Sequence, residues 1–505
     1  MKKNKLFIFA ALALMTGACD KNNTPAFVNG PDSEQPENNG GTGNQPAASS
    51  RNELYRPQIH FTPAKNWMND PNGMVYADGV YHLYYQYNPQ GNNWGNMSWG
   101  HAVSSDLVHW EEKPVAMVRN EWGDIFSGSA IVDTENKAGF GKNAILAFYT
   151  ASGEHQQQCL AYSTDGGLTY TQYEGNPVVP NTTLPDFRDP KVFWHKESGK
   201  WIMCLALGWS TQIEFWGSTD LKHWEKLSTF TTDVARCNIG QWECPDLIRL
   251  PYKGGEKWVL IVSNNPGGPV GGSGTEYFVG DFDGKEFKAM DLDYPLWLDY
   301  GADNYAGVTW SNVPGNRTLF IGWMNNWNYA GYVPCAPWRS AMTLPRELSL
   351  RDINGSPVLV TPIVAELDGI AGEWQLLTDK MKDGSAYEAK MKVNLSKNST
   401  IRLENTFGEY VDIEIRPSTK AIVVKRSSSS GRIDFNSLFA LPSIQAPINC
   451  DAGEMDMRIV VDASSMEIIC GDGAVSLTNL VFPKEPYNMI CGVDNVEYRT
   501  LKSIW

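Results

Sequence analysis

The chain has 505 residues with a formal net charge of −15, and 42% of its residues are hydrophobic, 12% aromatic and 20% charged. That length exceeds what one hydrophobic core holds and predicts two or three domains, while an acidic balance without Lys/Arg clusters excludes a phosphate backbone as partner. Nineteen Trp and 21 Tyr are more flat rings than core filling requires, and with nucleic acid excluded they point to a wet groove that stacks on sugars.

Residues 1–19 begin with Lys2, Lys3 and Lys5, continue through the apolar run 6–15 and end in Thr16-Gly17-Ala18-Cys19. The run is too short to span a bilayer as a mature helix and reads as a secretory signal. Its last residues resemble a bacterial lipobox, with Thr16 where an aliphatic residue is usual. The resemblance implies lipidation of Cys19 and an exported protein held in a bacterial envelope, on the cell surface or the periplasmic side. Residues 20–50 are Asn, Gly, Pro, Ser, Thr and Gln with almost nothing apolar, a flexible tether. Membrane contact is therefore expected only through the lipid.

Eight further cysteines (Cys159, Cys204, Cys237, Cys244, Cys335, Cys450, Cys470 and Cys491) form no CxxC pair, and the seven His form neither H-x-H nor H-E-x-x-H. Several of the cysteines lie in apolar runs, where a small buried hydrophobe is the ordinary role. No metal and no cofactor are expected.

The first ordered stretch is Trp67-Met68-Asn69-Asp70-Pro71-Asn72-Gly73. Pro71 fixes φ, and Asn72 and Gly73 tolerate positive φ, so the spacing predicts a turn holding Asp70 at a strand end. Two aromatic-rich strands follow, joined at Asp78-Gly79. Beyond them a faint repeat appears: aspartates 106, 165, 220 and 283 open similar turns at intervals of 59, 55 and 63 residues, each after a short β run. Units of about 60 residues built of short strands without helical periodicity are the signature of propeller blades, and residues 57–365 hold five. His109 and His223 occupy equivalent turns of two repeats, which marks them as structural.

Inner strands of successive blades converge on one mouth of a central channel. Asp70 stands at the start of the first. Asp189, in Asp186-Phe187-Arg188-Asp189-Pro190, likewise precedes a Pro and a strand, and Glu243 lies between Trp242 and Cys244 ahead of another strand. Taken singly, each has a plain reading: a turn residue, half of a local Arg–Asp pair, a Glu paired with an arginine. At spacings of two blades and then one they can face a single pocket. A partly desolvated Glu243 would have a raised pKa suited to a general acid, and two carboxyl groups flanking a glycosidic bond are what glycoside hydrolysis requires. The Gly-rich run 266–274 lacks a following Lys-Ser/Thr and an opening helix, so it is not a phosphate loop.

After residue 368 the pattern changes. Tyr410-Val411-Asp412-Ile413-Glu414-Ile415 alternates, Met457-Arg458-Ile459-Val460-Val461 is largely apolar, and Gly471-Asp472-Gly473 reads as a hairpin turn. Residues 375–505 are expected to form a β-sandwich.

His60-Phe61-Thr62-Pro63 with Trp67–Gly73, Phe126-Ser127-Gly128-Ser129, Arg188-Asp189-Pro190 and Trp242-Glu243-Cys244-Pro245 resemble, in order, the motifs of glycoside hydrolase family 32, which includes invertases, inulinases, levanases and fructan β-fructosidases. The resemblance covers nearly all of residues 57–505. It implies an all-β chain, a five-bladed β-propeller (51–368) followed by a C-terminal β-sandwich (375–505). It makes Asp70 the nucleophile, Glu243 the acid/base and Asp189 the transition-state stabiliser, with Asn69, Gln86, Trp94, Phe126, Ser127, Arg188 and Trp338 in the fructose pocket. The implied substrates are fructans such as levan and inulin, and sucrose. Asp70, retained where endo-inulinases often carry Glu, favours exo-action. An endo-levanase, a fructosyltransferase and a non-catalytic glycan-binding protein are the competing readings.

Overall fold

The computed structural model describes residues 51–381, 386–450 and 452–505. The signal, Cys19 and the tether lie outside the described residues.

The described chain is β-structure with a few short 3-10 turns. Four successive antiparallel meanders begin with the strands Asn66–Ala77, Asp124–Asp133, Arg188–His195 and Gln241–Tyr252, and a smaller sheet begins with Tyr305–Thr309. Each of these first strands packs beside the first strand of the next sheet, and Tyr305–Thr309 returns to Asn66–Ala77, so the five surround one axis. The parallel pairing of Trp338–Arg339 with Asn66–Trp67 joins the end of the ring to its start. Two six- and five-stranded antiparallel sheets then pack face to face between residues 375 and 500, around a core that includes Val393, Leu403, Ile413, Val424, Met457, Ile468 and Leu477. That is the expected β-sandwich.

The repeat has a physical cause. In each of the first four sheets the turn between third and fourth strands is tied by an Asp carboxylate. Asp106 accepts from the amides of Val108 and His109, Asp165 from Leu168 and Thr169, Asp220 from Lys222 and His223, and Asp283 from Lys285 and Glu286. His109 and His223 reach back to their own aspartates at 2.8 and 2.6 Å, structural as expected.

The turn expected at Asn69–Gly73 is not a turn. The strand Asn66–Ala77 runs through it, with one extra residue between Met68 and Pro71 and another between Asn72 and Val75. Pro71 has no N–H to donate, and Gly73, at φ +54°, has no room for a side chain, since a Cβ would stand 2.6 Å from the Trp99 ring. The turn-forming residues are used here to bulge a strand, because tertiary packing on both faces holds it extended. Asp78-Gly79 does close the expected hairpin, with Ala77 opposite Val80.

Ring and sandwich are joined through buried charge. His60 donates or accepts at both ring nitrogens, 2.7 Å from Asp462 and 2.8 Å from Glu467, and Arg346 pairs with the same Glu467. Asp303, just ahead of the fifth sheet, accepts from Arg426 at 2.6 Å.

Candidate active site

All five first strands are bulged at the same end. Relative to its neighbour, each gains one residue: between Met68 and Pro71, Ile125 and Gly128, Arg188 and Lys191, Glu243 and Asp246, and Tyr305 and Val308. A bulge re-aims a side chain out of the alternating pattern. Asp70, Phe126, Ser127, Asp189, Glu243, Cys244 and Tyr305 all lie on or beside these bulges, with Asp189 and Cys244 at φ +64° and +48°. Such backbone costs of order 1–3 kcal/mol per residue and persists only where the surroundings enforce it.

The three carboxyl groups meet around Cys244. Its amide donates to Asp189 Oδ2 at 2.8 Å, its thiol lies 3.6 Å from Asp70 Oδ2, and Glu243 precedes it in the chain. Ser127 Oγ donates to Asp70 Oδ2 at 2.6 Å, and Asn69 Nδ2 to Oδ1 at 3.0 Å. Asn69 is fixed in turn by Trp67 Nε1 at 2.7 Å. Behind it Trp67, Trp323 and Trp327 pack together, with Trp67 and Trp327 stacked at 5.8 Å. Trp323 is fully buried, so that cluster is core supporting the site.

Burial pushes the Asp70 carboxyl up, the nearby Glu243 charge adds to this, and the Ser127, Asn69 and Cys244 contacts oppose it. Asp189 is pushed up to about 7, chiefly by burial; Arg188 pulls it down, and Glu243 and Asp70 push it further up. Three carboxyls in one enclosed space cannot all ionise cheaply, so the group retains a proton that a reaction can use. Burial likewise raises the Cys244 thiol, which stays protonated and can donate.

Glu243 does not sit in the apolar enclosure expected from Trp242 and Cys244. Strand alternation sends Trp242 into the core beneath the site, where it is 0% exposed. The Glu243 carboxylate instead accepts from Arg188 Nη2 and Nε at 3.0 and 3.3 Å and from the Tyr305 hydroxyl. Arg188 is the hub of this wall: it also donates to Asp186 at 2.8 Å, Gln241 at 3.0 Å and Gln156 at 3.1 Å. Burial lowers its pKa, but Glu243, Asp189 and Asp186 outweigh that and hold it firmly protonated.

Gln86 is buried beside the strand that carries Asp70, donating to the Ile125 carbonyl at 3.1 Å. With the Asn72 amide oxygen turned toward it, Gln86 Nε2 also donates there at 2.9 Å. Trp94 is 36% exposed and meets Phe126 edge-on at 6.0 Å, which gives the site one aromatic rim. Trp338 is the outlier. It is 2% exposed, with the Arg56 guanidinium 3.7 Å above its ring, and packs among Tyr55, Tyr329 and Phe439.

The family profile "Glycosyl hydrolases family 32 N-terminal domain" matches residues 60–362, and "Glycosyl hydrolases family 32 C terminal" matches residues 368–502. The chain belongs to glycoside hydrolase family 32. It is 45% identical over 462 residues to a levanase of Bacillus subtilis (strain 168), covering 86% of this chain and 68% of that protein. An extracellular exo-inulinase of Aspergillus awamori is 39% identical over 492 residues, 86% of this chain and 91% of that one. The crystal structure of exo-inulinase from Aspergillus awamori superposes with a TM-score of 0.83 at 36% identity, over 90% of this chain and 100% of the other. The protein is a glycoside hydrolase, all-β, with a family 32 N-terminal domain and a C-terminal β-sandwich.

Sequence reasoning missed Tyr305, Gln156, Gln241 and Thr150 in this family 32 site. Thr150 Oγ1 accepts from the Asp189 amide at 2.9 Å and so fixes the strained backbone there. Only Tyr305 carried a readable signal, the polar run Gly301-Ala302-Asp303-Asn304-Tyr305 ahead of a buried strand. The others are ordinary polar residues whose role comes from the strand they face.

Proposed function

We propose that this protein is a retaining, exo-acting hydrolase of β-fructofuranosidic bonds in fructans, levan or inulin, that also takes sucrose. Asp70 attacks the anomeric C2 of a terminal fructosyl unit while Glu243 gives its proton to the departing glycosidic oxygen. The C2–oxygen bond breaks and a fructosyl ester of Asp70 forms. Glu243 then removes a proton from water, whose oxygen attacks C2 and releases fructose, leaving Glu243 protonated again. Asp189 and Arg188 hold ring hydroxyls, so their effect falls on kcat through positioning.

The observation that carries this reading is the meeting of Asp70, Asp189 and Glu243 around Cys244. The levanase and exo-inulinase relatives supply the substrate class. Ser127, Cys244 and Asn69 all donate to Asp70, which favours its ionised, nucleophilic form, and the Tyr305 hydroxyl orients Glu243. We also propose that the five-sheet ring (51–368) is a five-bladed β-propeller, and that residues 375–505 form a separate sandwich domain. The protein is exported, as the extracellular exo-inulinase relative is, and tethered by a lipid on Cys19.

Product sizes from levan and inulin test this directly. Free fructose as the sole early product is expected. A ladder of oligomers means endo-action, longer oligosaccharides from sucrose mean transfer, and no reducing sugar at all leaves a glycan-binding protein.

A further inference from the structure

The strands that bring the carboxylates together continue beyond them. Asp124–Asp133, Arg188–His195, Gln241–Tyr252 and Tyr305–Thr309 all start at the catalytic end, and their far halves, with the segments that follow, line a cavity of about 570 Å³. Between the two lies a neck of about 10 Å³ bounded by Pro71, Ser129, Asp189, Lys191 and Cys244, room for roughly one water. The axis therefore has a second mouth, closed off from the first, with a volume in the range of small-ligand sites.

The lining has the chemistry of a saccharide site. At the rim the Trp194 indole is 45% exposed and is backed edge-on by Trp201 at 5.3 Å, a large flat apolar face held open to solvent. At the inner wall Asp246 is fully buried. Its Oδ2 accepts from Lys191 Nζ at 2.9 Å and from the Thr309 amide and hydroxyl, each at 2.7 Å. Its Oδ1 has no donor among the described residues, and neither has Trp201 Nε1 an acceptor. Both atoms are fully buried, so they lie behind the cavity surface, and what a ligand meets is the Trp194 face with the polar side chains of the rim. Charges around the mouth are mixed, Glu135 and Glu197 against Lys137 and Arg249, so neither an anion nor a cation is selected. A neutral polyhydroxyl ring with apolar faces fits the flat aromatic face, the mixed charge and the volume.

We propose that this far mouth is a second, non-catalytic saccharide site that takes a short fructan oligosaccharide, stacked on Trp194 with its hydroxyls meeting the mixed polar side chains of the rim. The choice of a fructan rests on the function proposed above. The existence of a saccharide site does not.

The test uses the full chain carrying Asp70→Asn to prevent turnover, titrated calorimetrically with a fructan trisaccharide. Two sites per chain are expected. Adding Trp194→Ala, at an exposed rim position, should weaken one of them at least about tenfold without moving Tm or, in the otherwise native enzyme, kcat/KM for sucrose. One site in Asp70→Asn, with affinity untouched by Trp194→Ala, overturns the inference even if the enzyme hydrolyses levan. Two sites with no fructose released by the native protein would support the far mouth and sink the proposed reaction instead.

Discussion

The Cys244 amide donates to Asp189 Oδ2 at 2.8 Å across the gap between the third and fourth sheets. Both residues sit at positive φ on bulges of their own strands, so each strained backbone holds the other. The same cysteine presents its thiol to Asp70. One side chain and one amide thus set the mutual positions of three carboxyl groups drawn from three sheets.

Replacing Asp70 by Asn removes the proposed nucleophile while leaving an oxygen to accept from Ser127. The variant should fold normally, with unchanged circular dichroism and an equal or higher Tm, because a buried charge is gone. Fructose release should fall by at least about 10⁴-fold. A folded variant retaining a few per cent of native activity would remove the assignment.

Ser127→Ala deletes a 2.6 Å donor to Asp70. A hydrogen bond to a charged group contributes about 1.5–3 kcal/mol, and this one opposes the upward push of burial on Asp70, so without it the Asp70 pKa should rise further. Attack requires the ionised form, and activity falls as pH drops through that pKa. The acid limb of kcat/KM should therefore move to higher pH; a flat loss at every pH would point to lost substrate contacts instead.

Asp189, at about 7 when folded, binds its proton more tightly in the native than in the unfolded chain. Its contribution to stability therefore falls as pH rises from about 4 to 7. Asparagine can keep the Cys244 contact and tolerates positive φ. Asp189→Asn should match the native protein near pH 4 and exceed it by on the order of 2–4 kcal/mol at pH 8, at the cost of kcat. Urea denaturation at the two pH values decides it.

His60 has the same sign at higher pH. Burial lowers its pKa, but the contacts to Asp462 and Glu467 outweigh that and raise it to about 9. The stability it contributes is complete below pH 6.5 and is lost as pH rises through 9. His60→Gln should cost on the order of 3 kcal/mol at pH 6 and much less at pH 10. A pH-independent cost, measured by denaturation midpoints, would mean that shape rather than charge is what His60 supplies.

Local chemistry made much of this protein readable from its residues alone. Asp106, Asp165, Asp220 and Asp283 mark turns because a short carboxylate satisfies backbone amides within its own loop, and that rule operates over three or four residues. Alternation at 410–415 and the Asp78-Gly79 hairpin are of the same kind. The three carboxylates stood out because Pro, Gly and Trp around them are unusual company for an acid. What no stretch of chain could disclose is which neighbour each acid would face. Asn69–Gly73 became bulges because a ring of five strands, packed on both sides, held it extended against its turn propensity. Glu243 faces Arg188 and Tyr305 because strand alternation puts it on the side away from Trp242, and ring closure brings those two residues there from other strands. Trp338 is buried under Arg56 because that strand pairs with the first. Contacts between residues 55 or more positions apart depend on the closure of the whole ring, and only the assembled fold decides them.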